Sequence, residues 1–107
     1  MKADKIYYIY VIRCNNNSLY TGITTNFQKR IKEHSAGTGA KYTKNKGPFI
    51  LELLLSTQGR STATKIELFI KSLKKQKKEA LIRTSKDITE FFPNVEIIDK
   101  SIYTHFE

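Results

Sequence analysis

The strongest constraint on the fold is a pair of short β-type segments near the start of the chain. Residues 6–12, with the sequence IYYIYVI, are all aromatic or β-branched, and such residues favour strands. An Asn-Asn-Asn-Ser turn sequence follows at 15–18, and a second short segment occupies 19–23. The pattern predicts a β-hairpin. Alternate residues of a strand point to the same side, so Tyr8 and Tyr10 should share one face.

Apolar spacing in the rest of the chain predicts helices around one further strand. Phe27 and Ile31 lie at helical spacing behind the cap candidates at 24–26, which indicates a helix at about 27–36. The apolar run at 49–55 is typical of a strand buried on both faces. A helical stripe predicts a second helix, and residues 73–83 favour a short third one. The stripe consists of Ala63, Ile66, Phe69, Ile70 and Leu73.

The predicted order β-β-α-β-α-α belongs to the α/β class, with a small three-stranded, mostly antiparallel sheet flanked by helices. A length of 107 residues with 39% hydrophobic side chains suits a single compact domain. The charge is divided unevenly along this domain. Residues 1–86 contain 18 Lys or Arg and 5 acids, whereas residues 87–107 contain 1 and 5. We therefore expect a basic domain at 1–86 and an acidic C-terminal tail at 87–107 that is docked on it or partly disordered.

The positive charge of the first 86 residues favours a polyanionic partner, because each Lys or Arg that contacts a phosphate releases counterions. A nucleic acid and an anionic membrane surface would both fit charge alone. The candidate nucleic-acid-binding residues lie in a basic loop at 37–48 and in the predicted third helix. They are Lys41, Lys44, Lys46, Lys74, Lys75, Lys77 and Lys78.

Several other classes of protein are disfavoured. The longest apolar runs fall well short of the roughly 20 residues that span a bilayer, so no membrane segment is expected. A single cysteine, Cys14, and the lack of a secretory leader favour the cytoplasm. Cys14, His34 and His105 lack zinc-ligand spacing. The glycine-containing segment 37–41 follows a helix and lacks the P-loop arrangement, so no nucleotide cofactor is expected.

Polar and aromatic residues inside these elements form an ordered set. Tyr8-Ile9-Tyr10 lies on the first strand and Tyr20-Thr21-Gly22 on the second, followed by Arg30, His34 and Glu67 on helices. This set resembles the signature of the GIY-YIG endonucleases over residues 6–83, and most closely that of their short, stand-alone bacterial branch. The sequence departs from the signature at Tyr8, where the family has a glycine, and at Thr21. It also lacks a convincing counterpart of the family's C-terminal asparagine, because Asn94 lies in the tail.

The resemblance implies a GIY-YIG-like fold and metal-dependent hydrolysis of phosphodiester bonds in DNA, in the setting of repair or recombination. Glu67 would hold Mg²⁺ or Mn²⁺, and Arg30 would balance the charge that develops on the phosphate. Tyr10, Tyr20 and His34 compete for the role of activating or orienting the attacking water. An unperturbed tyrosine, with a pKa near 10, is a poor base without help from a neighbouring cation.

Simpler interpretations of the same residues exist. The tyrosines could merely fill strands, His34 and Arg30 could be solvated, and Glu67 could form an exposed ion pair with Lys71 at i,i+4 spacing. The corresponding alternative function is a catalytically weak module that binds nucleic acid on the same scaffold. A third is a basic adaptor whose acidic tail contacts a partner or covers its own basic groove.

Overall fold

The computed structural model describes residues 5–37, 44, 46–99 and 105–106, and it has the predicted α/β architecture. The six predicted elements all form, and two very short strands and a short helix follow them. The elements are β1 (Ile6–Arg13), β2 (Leu19–Thr24), α1 (Phe27–Ser35), β3 (Phe49–Gln58), α2 (Arg60–Ser72), α3 (Lys75–Arg83), α4 (Ile88–Phe91, after a 3₁₀ turn at Ser85–Asp87), β4 (Glu96–Ile97) and β5 (His105–Phe106).

The sheet is antiparallel, with the strand order β2-β1-β3-β4, and β5 also pairs with β3. The predicted three-stranded antiparallel sheet is therefore its centre. The two extra strands contain two residues each, which is too short for an alternating pattern to reveal. α3 is separate from α2 because Leu73 has extended backbone angles that end the second helix.

A β-bulge allows β3 to supply both faces of the sheet. Val11 pairs with Leu53 but Ile12 pairs with Leu51, so Glu52 is the extra residue opposite this step. As a result, Leu53 packs on one face while Leu51 packs on the other, although they are two residues apart. The continuous apolar run of β3 is thus explained by burial on both sides.

Each face of the sheet carries its own apolar cluster. On one face, Ile9 and Val11 of β1 pack against Ile66 and Ile70 of α2, with Ile88 and Val95 of the C-terminal segment in the same cluster. On the other face, Tyr10 and Ile12 pack with Phe27 of α1. The second face positions the candidate site, because the aromatic side of β1 meets α1 there.

Thr21 has a buried hydroxyl for which no hydrogen-bond partner occurs among the residues that the structure describes. The residue is only 3% exposed. A buried hydroxyl without a partner loses hydration and gains nothing in return, so Thr21→Val should raise the free energy of unfolding by about 1 kcal/mol. Urea unfolding measures this change. Thr24→Val is the matched control on the same strand. Its hydroxyl accepts a hydrogen bond from the Asn26 N–H at 3.1 Å, and its loss should lower stability.

Candidate active site

Tyr10 reaches the site by crossing the neighbouring strand at a glycine. Tyr10 of β1 pairs directly with Gly22 of β2, and its ring is 1% exposed. A Cβ placed on Gly22 would lie 2.6 Å from Cζ of the Tyr10 ring and nearer still to its hydroxyl. The glycine of the second signature segment is therefore required by the close approach of this ring.

The phenol oxygen of Tyr10 is the meeting point of two α1 side chains. It lies 2.8 Å from Nε2 of His34, and Nε of Arg30 donates a hydrogen bond to it at 3.3 Å. A guanidinium can only donate, so the phenol oxygen accepts from Arg30. The Tyr10 hydroxyl and Nε2 of His34 share the other hydrogen bond, and the imidazole tautomer decides which of the two is its donor.

The surroundings of Tyr10 and His34 keep both of these side chains neutral. The pKa of Tyr10 is raised to about 12, mainly by burial; Arg30 acts against this rise, and Tyr20 and Glu67 contribute to it. Burial, together with the charge of Arg30, lowers the pKa of His34 to about 4. At neutral pH the site therefore contains a neutral phenol and a neutral imidazole beside a permanent cation.

Aromatic rings enclose the same two residues. The Tyr20 ring centroid lies 6.3 Å from that of Tyr10 and 5.5 Å from that of His34. Phe27 contacts Tyr10 at 5.8 Å, and Phe49 contacts His34 at 6.0 Å. Tyr20 is half-buried, so its phenol is more accessible than that of Tyr10. The surrounding rings fix the orientation of Tyr10 and His34, and Tyr20 remains the more exposed of the two phenols.

Glu67 approaches the site from α2. Its side chain is 16% exposed, and it forms an ion pair with Lys71 at 3.4 Å. Its charge also raises the pKa of the Tyr10 phenol, as the smallest of the influences that act on it. Over the described ranges there is no cluster of three or more His, Cys, Asp or Glu residues arranged as a metal site. Glu67 is thus a single candidate ligand.

The structure brings four of the predicted site residues into one contact network: Tyr10, Tyr20, Arg30 and His34. The interpretation of His34 as a surface residue is wrong, since it is 2% exposed. Glu33 was not predicted, yet its carboxylate pairs with Nη1 of Arg30 at 3.3 Å. The i,i+3 spacing of Arg30 and Glu33 was the signal available in the sequence.

Gly22→Ala should distort the site by steric conflict with Tyr10. The ring is held by its neighbours and cannot move away freely, so we expect a loss of about 1–3 kcal/mol in unfolding free energy. Thermal unfolding measures the change in stability, and a cleavage assay measures how the distortion of the site affects activity. Gly47→Ala is a milder control, because its Cβ would come no nearer than 3.2 Å to the Phe49 ring. Unchanged stability of Gly22→Ala would contradict the packing described.

The lowered pKa of His34 predicts a loss of stability in acid. The unfolded imidazole has a pKa near 6.5 and the folded one about 4, so between these values only the unfolded chain binds the proton. Stability should therefore fall as the pH is lowered through this window, by on the order of 3 kcal/mol in total. Urea unfolding at several pH values tests this. His34→Gln should show a flatter dependence than the wild type, and parallel curves would contradict the prediction.

The predicted lysines are arranged around the hairpin turn. Arg13, at the end of β1, pairs through both terminal nitrogens with Glu79 of α3, at 2.8 and 2.6 Å, and holds the pKa of Glu79 below its usual range. Nζ of Lys75 donates to the Asn17 carbonyl at 2.7 Å. On the loop side, the Asn15 N–H donates to the Lys46 carbonyl at 2.7 Å. Both basic segments thus meet at this turn.

Three of the predicted lysines of the α3 region are exposed (Lys74, Lys75 and Lys77), as is Lys44, whereas Lys46 and Lys78 are half-buried. Lys74 immediately precedes α3, and Lys75, Lys77 and Lys78 lie within it. Lys41 lies outside the described residues. The ion pairs of Arg13 therefore position most of the predicted basic surface close to the strand that carries Tyr20. Within the described part of the chain, no helix is long and apolar enough to cross a membrane.

Tyr10, Gly22, Arg30 and Glu67 lie in this order on β1, β2, α1 and α2 of a small α/β domain. Residues 6–80 match the GIY-YIG catalytic domain, and the chain belongs to the GIY-YIG family. The GIY-YIG domain is the catalytic domain of a family of nucleases, and these nucleases generally use divalent metal ions.

Within this family the chain is similar to UPF0213 proteins. That of Vibrio campbellii is 43% identical over 83 residues, which cover 78% of this chain and 80% of the relative. The solution NMR structure of UPF0213 protein BH0048 from Bacillus halodurans is 39% identical, with a TM-score of 0.51, and the match covers 74% of this chain and 84% of that one. The NMR structure of EF2693 from E. faecalis is 40% identical with a TM-score of 0.54, over 79% and 92% of the two chains.

Proposed function

We propose that this protein is a metal-dependent endonuclease that hydrolyses phosphodiester bonds in DNA, with a role in DNA repair or recombination. The observation that carries the proposal is the hydrogen-bonded centre at the Tyr10 oxygen, which a permanent cation and a neutral imidazole both contact. A purely structural tyrosine would need only one of these partners. Membership of a nuclease family supports the same conclusion.

Arg30 is suited to contact the scissile phosphate. Its side chain is 31% exposed, with Nε on Tyr10 and Nη1 on Glu33. A guanidinium has five N–H donors in a rigid plane, so donors remain for phosphate oxygens while the plane is held from two sides. Arg30 would then stabilise the negative charge that is redistributed in the transition state.

Tyr10 is suited to orient the attacking water. Arg30 donates to one lone pair of the phenol oxygen, and in the proposed scheme the phenol proton is directed to Nε2 of His34, 2.8 Å away. The second lone pair can accept a hydrogen bond from water. Because its pKa is about 12, Tyr10 acts in the neutral form, as an acceptor that positions the water. His34 is a positioning residue in this scheme, since its Nε2 contacts the Tyr10 oxygen, and Tyr20 is the second, more exposed phenol.

A divalent ion fits the donor set. Mg²⁺ is commonly held by one or two carboxylates, with waters and substrate phosphates as its other ligands. Glu67 is partly exposed, and its charge reaches the Tyr10 phenol, so it would hold Mg²⁺ or Mn²⁺ next to the phosphate site. Glu33 is engaged by Arg30. When bound, such an ion neutralises charge on the phosphate and stabilises the leaving oxygen.

The basic surface at the hairpin turn would hold the DNA backbone. Its lysines supply contacts to phosphates, which set the position of the strand without reading its sequence. The contacting residues proposed are those of the sequence analysis: Lys41, Lys44, Lys46, Lys74, Lys75, Lys77 and Lys78. Binding should therefore weaken steeply with salt.

A cleavage assay tests the proposal. Supercoiled plasmid and a branched duplex are incubated with the protein in Mg²⁺, in Mn²⁺ and in EDTA, and we expect nicked products only with a metal ion. Salt-sensitive binding without cleavage under any of these conditions would instead support the alternative function, a binding module on the same scaffold. Removal of residues 87–107 addresses the adaptor hypothesis, but Ile88 and Val95 lie in the core, so the fold of that variant must be verified first.

A further inference from the structure

A cavity lies beside the candidate active site, on the same face of the sheet. It encloses about 350 Å³ between β1, the start of α1, β3 and the segment that follows β4. Its aromatic and apolar lining consists of Tyr8, Phe27, Leu54 and Ile98. All four pack in or against the apolar cluster that contains Tyr10. The cavity and the Tyr10 network therefore share one packed cluster.

Two elements connect the cavity to the Tyr10 network. Tyr8 and Tyr10 are alternate residues of β1, so they lie on one face of the sheet, about 7 Å apart along the strand. On α1, the Asn26 carbonyl accepts a hydrogen bond from the Arg30 N–H at 3.1 Å, so Arg30 lies one turn, about 5.4 Å, further along the helix. A DNA strand with a phosphate on Arg30 can therefore place a neighbouring nucleotide at the cavity.

The lining suits a flat, uncharged group with polar edges. The chain has a net charge of +9, yet none of the described residues that line this cavity carries a charge, so a phosphate is poorly matched. Tyr8 contributes an aromatic ring and is only half-buried. Asn26 and Gln28 add exposed side-chain amides, which can donate to and accept from the edge of a base. An aromatic ring beside amides is a combination that holds nucleobases.

Recognition at this cavity depends on side chains, because the start of α1 is already capped. Oδ1 of Asn26 accepts a hydrogen bond from the Lys29 N–H at 3.1 Å, which leaves the NH₂ group of Asn26 as a donor. The exposed Gln28 amide offers both a donor and an acceptor. Tyr8 stands where the family signature has a glycine, and a glycine would supply no ring for a base to stack on.

We propose that this cavity receives an unpaired nucleobase of the DNA strand that is cleaved, next to the scissile phosphate. The proposal rests on the proposed nuclease function and narrows its substrate class to DNA with unpaired nucleotides, in single strands, branches or locally opened duplex. A base inside a duplex must leave the stack before it can enter such a cavity, which is unfavourable, whereas an unpaired base can enter directly. The base would stack on Tyr8, and Gln28 would bond to its edge.

An oligothymidylate, compared with an abasic strand of the same length and charge, measures how much the bases contribute to binding. Fluorescence anisotropy in EDTA records both affinities without cleavage. The two strands offer the same phosphates to the lysines, so the ratio of their affinities isolates base recognition. We expect the wild type to bind the oligothymidylate about tenfold more tightly, and Tyr8→Ala to remove most of this preference. Tyr8→Phe retains the ring and should retain the preference.

Tyr7→Ala is the matched control. Tyr7 is the adjacent half-buried residue of β1 and packs against the opposite face of the sheet, so this variant loses a similar ring but should keep the base preference. Gln28→Ala changes an exposed residue, so the fold should be retained while the preference falls. In the wild type, the side-chain amide NMR signals of Gln28 should shift with the oligothymidylate and not with the abasic strand.

The proposal is overturned if the wild type binds the two strands equally, or if Tyr8→Ala and Tyr7→Ala change the preference alike. Thymidine that shifts the Gln28 amide at the same concentration as the oligothymidylate would also overturn it, since the cavity would then be a site for a free nucleoside. Cleavage without a base preference would contradict this inference alone. A base preference without metal-dependent cleavage would instead contradict the nuclease function.

Discussion

Glu67→Gln is expected to reduce metal-dependent cleavage by at least about a hundredfold while the protein stays folded. Removing even the residues that support a metal ligand commonly lowers activity or affinity 10- to 100-fold, and loss of the ligand itself should exceed this. The fold should survive because glutamine is close to glutamate in shape, and ion pairs at i,i+4 spacing such as Glu67–Lys71 contribute little to stability. Initial rates of plasmid nicking over a Mg²⁺ and Mn²⁺ series provide the measurement.

Lys71→Gln is the matched control for this variant. It removes the same ion pair but keeps the carboxylate, so a purely structural Glu67 would give two variants with the same behaviour. We expect Lys71→Gln to cleave within a few-fold of the wild type, and both variants to bind DNA normally in EDTA by fluorescence anisotropy. If Glu67→Gln cleaves as fast as Lys71→Gln, then Glu67 is not the metal ligand.

The local elements could be predicted because their signals lie within short stretches of sequence. β1 and β2 follow from residue type and a turn, and α2 from a helical stripe. The bulge at Glu52 could not be predicted, since it depends on the register between two strands that are far apart in the chain. The ion pairs of Arg13 could not be predicted for the same reason, because its partners Glu52 and Glu79 lie 39 and 66 residues away in the chain.

The order of the signature residues along the chain predicted which side chains to consider for the candidate site. It did not predict the hydrogen bonds among them. Tyr10 and His34 are 24 residues apart, and no spacing rule links a strand residue to a helix residue at that distance. The simple interpretations of single residues proved partly correct. The Glu67–Lys71 pair does form, and Tyr10 does fill the core, yet its hydroxyl also carries the contacts of the site. The Tyr10 side chain therefore packs in the core with its ring and forms the contacts of the candidate site with its hydroxyl.

Tyr10→Phe should lower cleavage by about a hundredfold or more, because it removes the oxygen that we propose orients the water. The same change leaves Nε of Arg30 and Nε2 of His34 without their partner in a buried setting, so unfolding free energy should fall by about 1–3 kcal/mol. Cleavage must therefore be measured well below the melting temperature of the variant. Single-turnover rates with saturating protein separate the chemical step from DNA binding, which should be unchanged.

Tyr20→Phe and His34→Gln complete this experiment, since they distinguish the three candidates for water activation. Tyr10 is enclosed and its oxygen accepts a hydrogen bond from Arg30, whereas Tyr20 is half-buried, so Tyr20→Phe should retain more activity than Tyr10→Phe. His34→Gln should be intermediate, because it loosens Tyr10 without removing the acceptor oxygen. With a pKa of about 4, His34 is already neutral at pH 6–9. If His34 were the base, the cleavage rate would therefore not change with pH over this range. A larger loss in His34→Gln than in Tyr10→Phe would transfer the water-activating role from the phenol to the imidazole.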